Sequence, residues 1–109
     1  MANFQINMIK GDTMTFALEF DRATEIDSAF FSVKKNATDE GYVFQKTLND
    51  GIYRASENTY VVRVAPDDTS EIEAGNYNFD LEIIINGDVF TLMLGVLVIE
   101  QDVTWEVES

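Results

Sequence analysis

The side-chain chemistry open to this chain is carboxylate chemistry. It holds 20 Asp and Glu residues against seven Lys and Arg, with no His and no Cys. Without imidazole or thiol there is no Ser-His-Asp or Cys-His nucleophile and no usual zinc ligand set. Neither a Walker phosphate loop nor a dinucleotide fingerprint occurs. A pair of carboxylates can act as acid and base at a glycosidic bond, but among twenty no pair stands out by its spacing. Asp67-Asp68-Thr69-Ser70-Glu71 clusters oxygen ligands that calcium would accept, yet it lacks the spaced acids and central glycine of an EF-hand. The same residues suit a helix start, where Asp67 or Asp68 accepts from free backbone N–H groups. The expectation is a non-enzymatic chain with no cofactor and no metal, whose acids act through charge.

That charge is unevenly placed. Net charge is −13; residues 1–54 carry six basic and eight acidic side chains, and residues 55–109 carry one basic and twelve acidic. Nucleic acid and anionic membranes would repel such a surface. The partners it admits are basic protein surfaces, divalent cations, or neighbours indifferent to charge. At 109 residues with 46% hydrophobic content the chain is one folded domain, read as residues 1–104 with a tail at 105–109. Met1 to Gln5 has no basic region followed by an apolar run, so no signal peptide is expected. No apolar stretch approaches the roughly 20 residues of a membrane helix.

The elements that must carry these acids alternate with period two. Phe4, Ile6 and Met8, then Met14, Phe16, Leu18 and Phe20, read as two strands around a turn at Lys10-Gly11-Asp12. Phe30 to Lys34 is a third strand, its adjacent Phe30 and Phe31 implying two covered faces or a bulge. Tyr42 to Leu48 is a fourth, with Asn49-Asp50-Gly51 turning it back into a short partner at Ile52-Tyr53-Arg54. Asn58 to Ala65 ends at Pro66, the one proline. The pattern predicts an all-β, antiparallel immunoglobulin-like β-sandwich of about seven strands.

The last two strands can be put in register. Asn86-Gly87 suits a two-residue type I′ turn. An unbroken ladder from it pairs Ile83 with Phe90, Leu81 with Leu92, Phe79 with Leu94 and Tyr77 with Val96, giving one apolar face. Asn78, Asp80, Glu82 and Thr91 share the other with Met93, Leu97 and Ile99. Gly95, in mid-strand, marks a bulge or a close backbone approach. A bulge there turns Leu97 and Ile99 into the core; without one, Met93, Leu97 and Ile99 form an apolar stripe for a partner or a second copy. Glu73-Ala74-Gly75-Asn76-Tyr77 has the spacing of a tyrosine corner, in which the Tyr77 hydroxyl bonds to upstream backbone. Trp105 packs back on the sandwich or anchors a partner. Asn36-Ala37-Thr38 matches the glycosylation acceptor pattern and is expected to be incidental.

Val64-Ala65-Pro66-Asp67-Asp68-Thr69, Ala74-Gly75-Asn76-Tyr77-Asn78-Phe79-Asp80-Leu81, Phe90-Thr91-Leu92 and Asp102-Val103-Thr104 resemble small immunoglobulin-like modules of tailed-phage and prophage proteins. The similarity is to N-terminal domains of baseplate upper proteins and related tail components. Lys10-Gly11-Asp12-Thr13-Met14-Thr15-Phe16 resembles the start of the same modules. The resemblance implies an assembly role in a phage tail or baseplate, a protein partner, and residence in the virion or the host cytoplasm. The chain ends just after Asp102-Val103-Thr104, where such modules continue, and it is more acidic than assembly requires. These departures raise a second expectation: an anti-defence inhibitor of the anti-CRISPR type, setting carboxylates into a basic groove of a host nuclease. Asp67, Asp68, Glu71, Asp80 and Glu82, with Met93, Leu97 and Trp105, are the residues expected to meet a partner in one reading or the other. No aromatic platform for sugar binding is visible.

Overall fold

A computed structural model describes residues 3–36 and 38–101. Eight strands form: β1 (Asn3–Ile9), β2 (Met14–Glu19), β3 (Ser28–Lys34), β4 (Phe44–Leu48), β5 (Gly51–Ser56), β6 (Thr59–Val64), β7 (Gly75–Ile85) and β8 (Asp88–Glu100), with one helical turn, α1 (Pro66–Thr69), between β6 and β7. Their hydrogen-bonded order is β1-β8-β7-β3-β4-β5-β6-β2. In a flat sheet β2 would lie four strand spacings from β3, about 19 Å. Instead the rings of Phe16 on β2 and Phe31 on β3 are 5.6 Å apart. The sheet therefore folds over on itself at the junction of β4 and β5. There only Thr47 and Leu48 pair with Gly51 and Ile52, in parallel sense.

The result is an immunoglobulin-like β-sandwich. One layer is β1-β8-β7-β3-β4 and the other β5-β6-β2. Two points differ from the sequence expectation. The described residues form eight strands rather than about seven, and β1 adds to β8 in parallel, so the sandwich is not wholly antiparallel. Nor is the return after Asn49-Asp50-Gly51 a hairpin: β5 leaves for the second layer and pairs antiparallel with β6. The apolar character of Ile52, which is fully buried, drives that crossing.

The core joins both layers through Phe31, Val33, Tyr60, Val62, Phe79, Leu81, Leu97 and Ile99. Sandwiches of this class often pin their layers with a disulfide packed on a strand-three tryptophan, the second cysteine lying two residues after the corner tyrosine. This chain has no cysteine. Phe79 stands two residues after Tyr77, and Phe31 packs between it and Phe16, with ring separations of 5.6 Å on both sides. Edge-on and tilted aromatic contacts take the place of the covalent pin.

Tyr77 forms the corner. Its hydroxyl donates to the Glu73 carbonyl at 2.6 Å, and the Lys35 ammonium lies 4.7 Å from its ring centre. Burial, reinforced by the Glu73 carboxylate, pushes the phenol pKa up. Tyr60 plays a similar part in the other layer. Its hydroxyl donates to the Thr24 carbonyl at 3.0 Å and accepts from the Ile26 amide at 3.1 Å. This ties the polar 21–27 connection to β6.

The β7–β8 hairpin turns at Asn86 (φ 51°) and Gly87 (φ 84°), the left-handed pair a type I′ turn requires. Its register runs as predicted from Ile85–Asp88 to Ile83–Phe90. It then shifts, with Glu82 opposite Thr91 but Leu81 opposite Met93. The bulge therefore lies at Leu92, not Gly95. Gly95 answers the other requirement, close approach: a Cβ there would overlap the Phe4 carbonyl of β1.

Candidate protein-binding face

The bulge decides which hairpin residues face outward. Beyond it Met93, Gly95, Leu97 and Ile99 oppose Leu81, Phe79, Tyr77 and Gly75 on the inner side. Leu97 is completely buried, and Met93 packs against the core. Both are thereby removed from the partner surface to which the unbroken alternation assigned them. Leu94, Val96 and Val98, expected inside or unremarked, turn outward opposite Asp80, Asn78 and Asn76. The signal for this was present in Leu92-Met93-Leu94, three apolar residues in succession that break the alternation between Thr91 and Gly95.

Strand pairing lines up the outer face in rows. Leu94, Asp80, Ser32 and Gln45 make one row; Thr91, Glu82, Phe30 and Thr47 the next; Val96, Asn78 and Lys34 the third. Because directly opposed residues share a face, these side chains project together. All of them but Thr47 and Val96 line an open groove of about 650 Å³, with Tyr42 at its margin. Ser32 is nearly buried, and its hydroxyl accepts from the Gln45 amide at 2.9 Å. The Lys34 ammonium donates to the Asp39 carbonyl at 2.7 Å and stands 5.3 Å from the centre of the Tyr42 ring. The adjacent phenylalanines of β3 divide between the faces: Phe31 is buried inside, and Phe30 is half-exposed in the groove.

Asp80 is the unusual member. Its carboxyl is half-buried, and no donor among the described residues reaches it. Burial raises its pKa, with Lys34 opposing the shift from a distance. Glu82 follows two residues on, about 7 Å away along the strand. The groove thus presents two carboxylates and one ammonium among apolar neighbours.

The remaining acids lie elsewhere. In α1 the Asp68 carboxylate accepts from the Ala65 amide at 2.7 Å, reaching back over the helix start, and pairs with Lys46 at 2.8 Å. Ala65 has no side chain to return the bond, so only half of a capping box is made. Asp67 and Glu71 are exposed. Lys46 stands opposite Phe31 on β4, on the inner side, whereas Asp80 stands opposite Ser32 on the outer side. The α1 acids and the hairpin acids therefore belong to opposite sides of the first layer and do not converge. Among the described residues no three carboxylates gather into a cation site. No helix among them is long and apolar enough to cross a membrane. Trp105 lies outside the described residues.

No protein-family profile and no curated protein matches this sequence. Solved structures match its fold. CopC from Methylosinus trichosporium OB3b superposes with a TM-score of 0.52 at 11% identity, over 89% of this chain and 84% of that one. The NK cell receptor Nkp44 gives 0.51 at 12% identity, over 92% and 100%. A swine CD8αα homodimer gives 0.47 at 14%, over 93% and 95%. At these identities the likeness is one of fold, and the groove has to be read from its own residues.

Proposed function

We propose that this chain is a non-enzymatic protein-binding module, a structural part of a phage or prophage tail or baseplate, which engages its neighbour through the outer face of the β8-β7-β3-β4 sheet. The supporting observation is Asp80. A half-buried carboxylate without a donor carries a desolvation cost that a partner's donor would offset. The exposed Leu94 and half-buried Val96 and Phe30 around it supply the apolar contact that commonly anchors an interface. The partner is therefore a protein surface with an apolar patch and a centrally placed basic or amide group. The tail or baseplate assignment rests on the sequence resemblance.

The inhibitor reading has less support. It asks many carboxylates to face one basic channel, but Asp68 is engaged with Lys46, and the α1 acids face away from Asp80 and Glu82.

Co-expression with the proteins encoded beside it, followed by size-exclusion chromatography, tests the proposal. Co-elution is expected, and Leu94→Lys should abolish it while leaving the thermal midpoint nearly unchanged. Co-elution that survives Leu94→Lys but is lost in moderate salt would favour a charge-led surface instead.

A further inference from the structure

Among the described residues, the strand order leaves β1 with a partner on one side only. Asn3 to Ile9 contains no charged residue and no proline, in a chain in which 25% of residues are charged. Natural edge strands usually carry charge, proline or a bulge to prevent strand addition; β1 carries none of these. Its register pairs Phe4 with Gly95, Ile6 with Leu97 and Met8 with Ile99, and the Lys10 amide donates to the Glu100 carbonyl at 2.8 Å. The alternation of a parallel ladder then assigns the peptide groups of Phe4, Ile6 and Met8 to β8. Those of Gln5 and Asn7 point to the open side.

We propose that this edge pairs with the same edge of a second copy, antiparallel, about a two-fold axis through Ile6. Centring on the midpoint of the seven-residue strand sets Gln5 opposite Asn7 of the second copy and exchanges both of their edge-facing hydrogen bonds. It also sets Ile6 against Ile6 and Phe4 against Met8. Between Phe4 and Met8, amide meets amide on the outer side and apolar meets apolar on the inner side. Phe4, 41% exposed in one chain, is covered. A two-fold interface must be self-complementary, and from Phe4 to Met8 this sequence is symmetric in character about residue 6. The two five-stranded layers become one continuous sheet, with the outer face of each copy left open. A pairing this short lies at the small end of interface sizes, below about 1,200 Å², so the dimer dissociates on dilution. Each copy carries a net −13, so salt tightens the dimer by screening repulsion.

Sedimentation velocity on a dilution series, at low and raised salt, should show the mass climb from one chain to two, earlier at raised salt. Gln5→Lys with Asn7→Lys sets Lys against Lys twice across the axis and should raise the dissociation constant about tenfold or more. Gln5→Lys with Asn7→Glu sets Lys against Glu and should restore dimerisation, which separates lost pairing from lost folding. Because the chain has no cysteine, Ile6→Cys should oxidise to a linked dimer faster than Ala17→Cys on β2. A single-chain mass up to about 1 mM, the weakest association worth the name, overturns the proposal. So does a dimer indifferent to the double-lysine change, or protection of the Gln5 and Asn7 amides from exchange in the monomer, since the chain would then cover its own edge.

Discussion

At the scale of single residues, Asp80 and Tyr77 make opposite uses of burial. The Asp80 pKa stands above its ordinary 3.8 because desolvation penalises the carboxylate. The folded state therefore binds a proton more tightly than the unfolded chain does. This contribution to stability is fully present below the unfolded pKa and is lost as pH rises through the raised one. Asp80→Asn removes the penalty. Melting curves should show a higher midpoint than wild type at pH 7, with the advantage shrinking as pH falls through the raised pKa and gone below about 4. An equal difference at both pH values would mean that the charge is not what costs stability. Tyr77 meets its burial with a hydrogen bond to Glu73. Tyr77→Phe leaves that carbonyl without the hydroxyl and should cost about 1 kcal/mol, read as a lower denaturation midpoint at an unchanged slope.

At the scale of elements, the β7–β8 hairpin shows what alternation can and cannot deliver. The turn at Asn86-Gly87, the corner at Tyr77 and the pairing as far as Phe90 were all legible, because each depends on local residue types. The displacement of the bulge from Gly95 to Leu92 was not. Three apolar residues in a row can place the extra residue at any of several positions, and packing against Leu81 and β1 selects one. That selection exchanged Met93 and Leu97 for Leu94 and Val96 on the outer surface, so the candidate site was only half legible: its acids were named and its apolar members were not. The β5 crossing escaped for a related reason, since a three-residue turn reads alike whether the next strand returns or departs. Gly95 gives this scale its test. Gly95→Ala drives a methyl into the Phe4 carbonyl and should cost about 1–3 kcal/mol, the range for overpacking. Amide exchange should quicken first along β1, and uniform quickening would place the strain elsewhere.

For the whole molecule, net charge and fold pull in different directions. The aromatic cluster of Phe16, Phe31 and Phe79 holds the layers together without a covalent link. Thirteen uncompensated charges push them apart. Raising ionic strength from about 0.01 to 0.15 M shortens the screening length from about 30 to 8 Å. The thermal midpoint should rise by a few degrees across that range, and a flat response would mean that the acids are spaced widely enough not to interact.

The parallel pairing of β1 with β8 has a consequence in time. Phe4 lies beside Gly95, so β1 is made about 90 residues before the strand it joins. At about 5–20 residues per second the ribosome takes roughly 5–18 s to cover the interval. Throughout it β1 is a finished, uncharged strand with nothing native to join. The remaining strands can assemble among themselves, and closing so long a loop costs entropy before any contact rewards it. β1 therefore docks late, and until it does its uncharged seven-residue edge is open to strands of other chains.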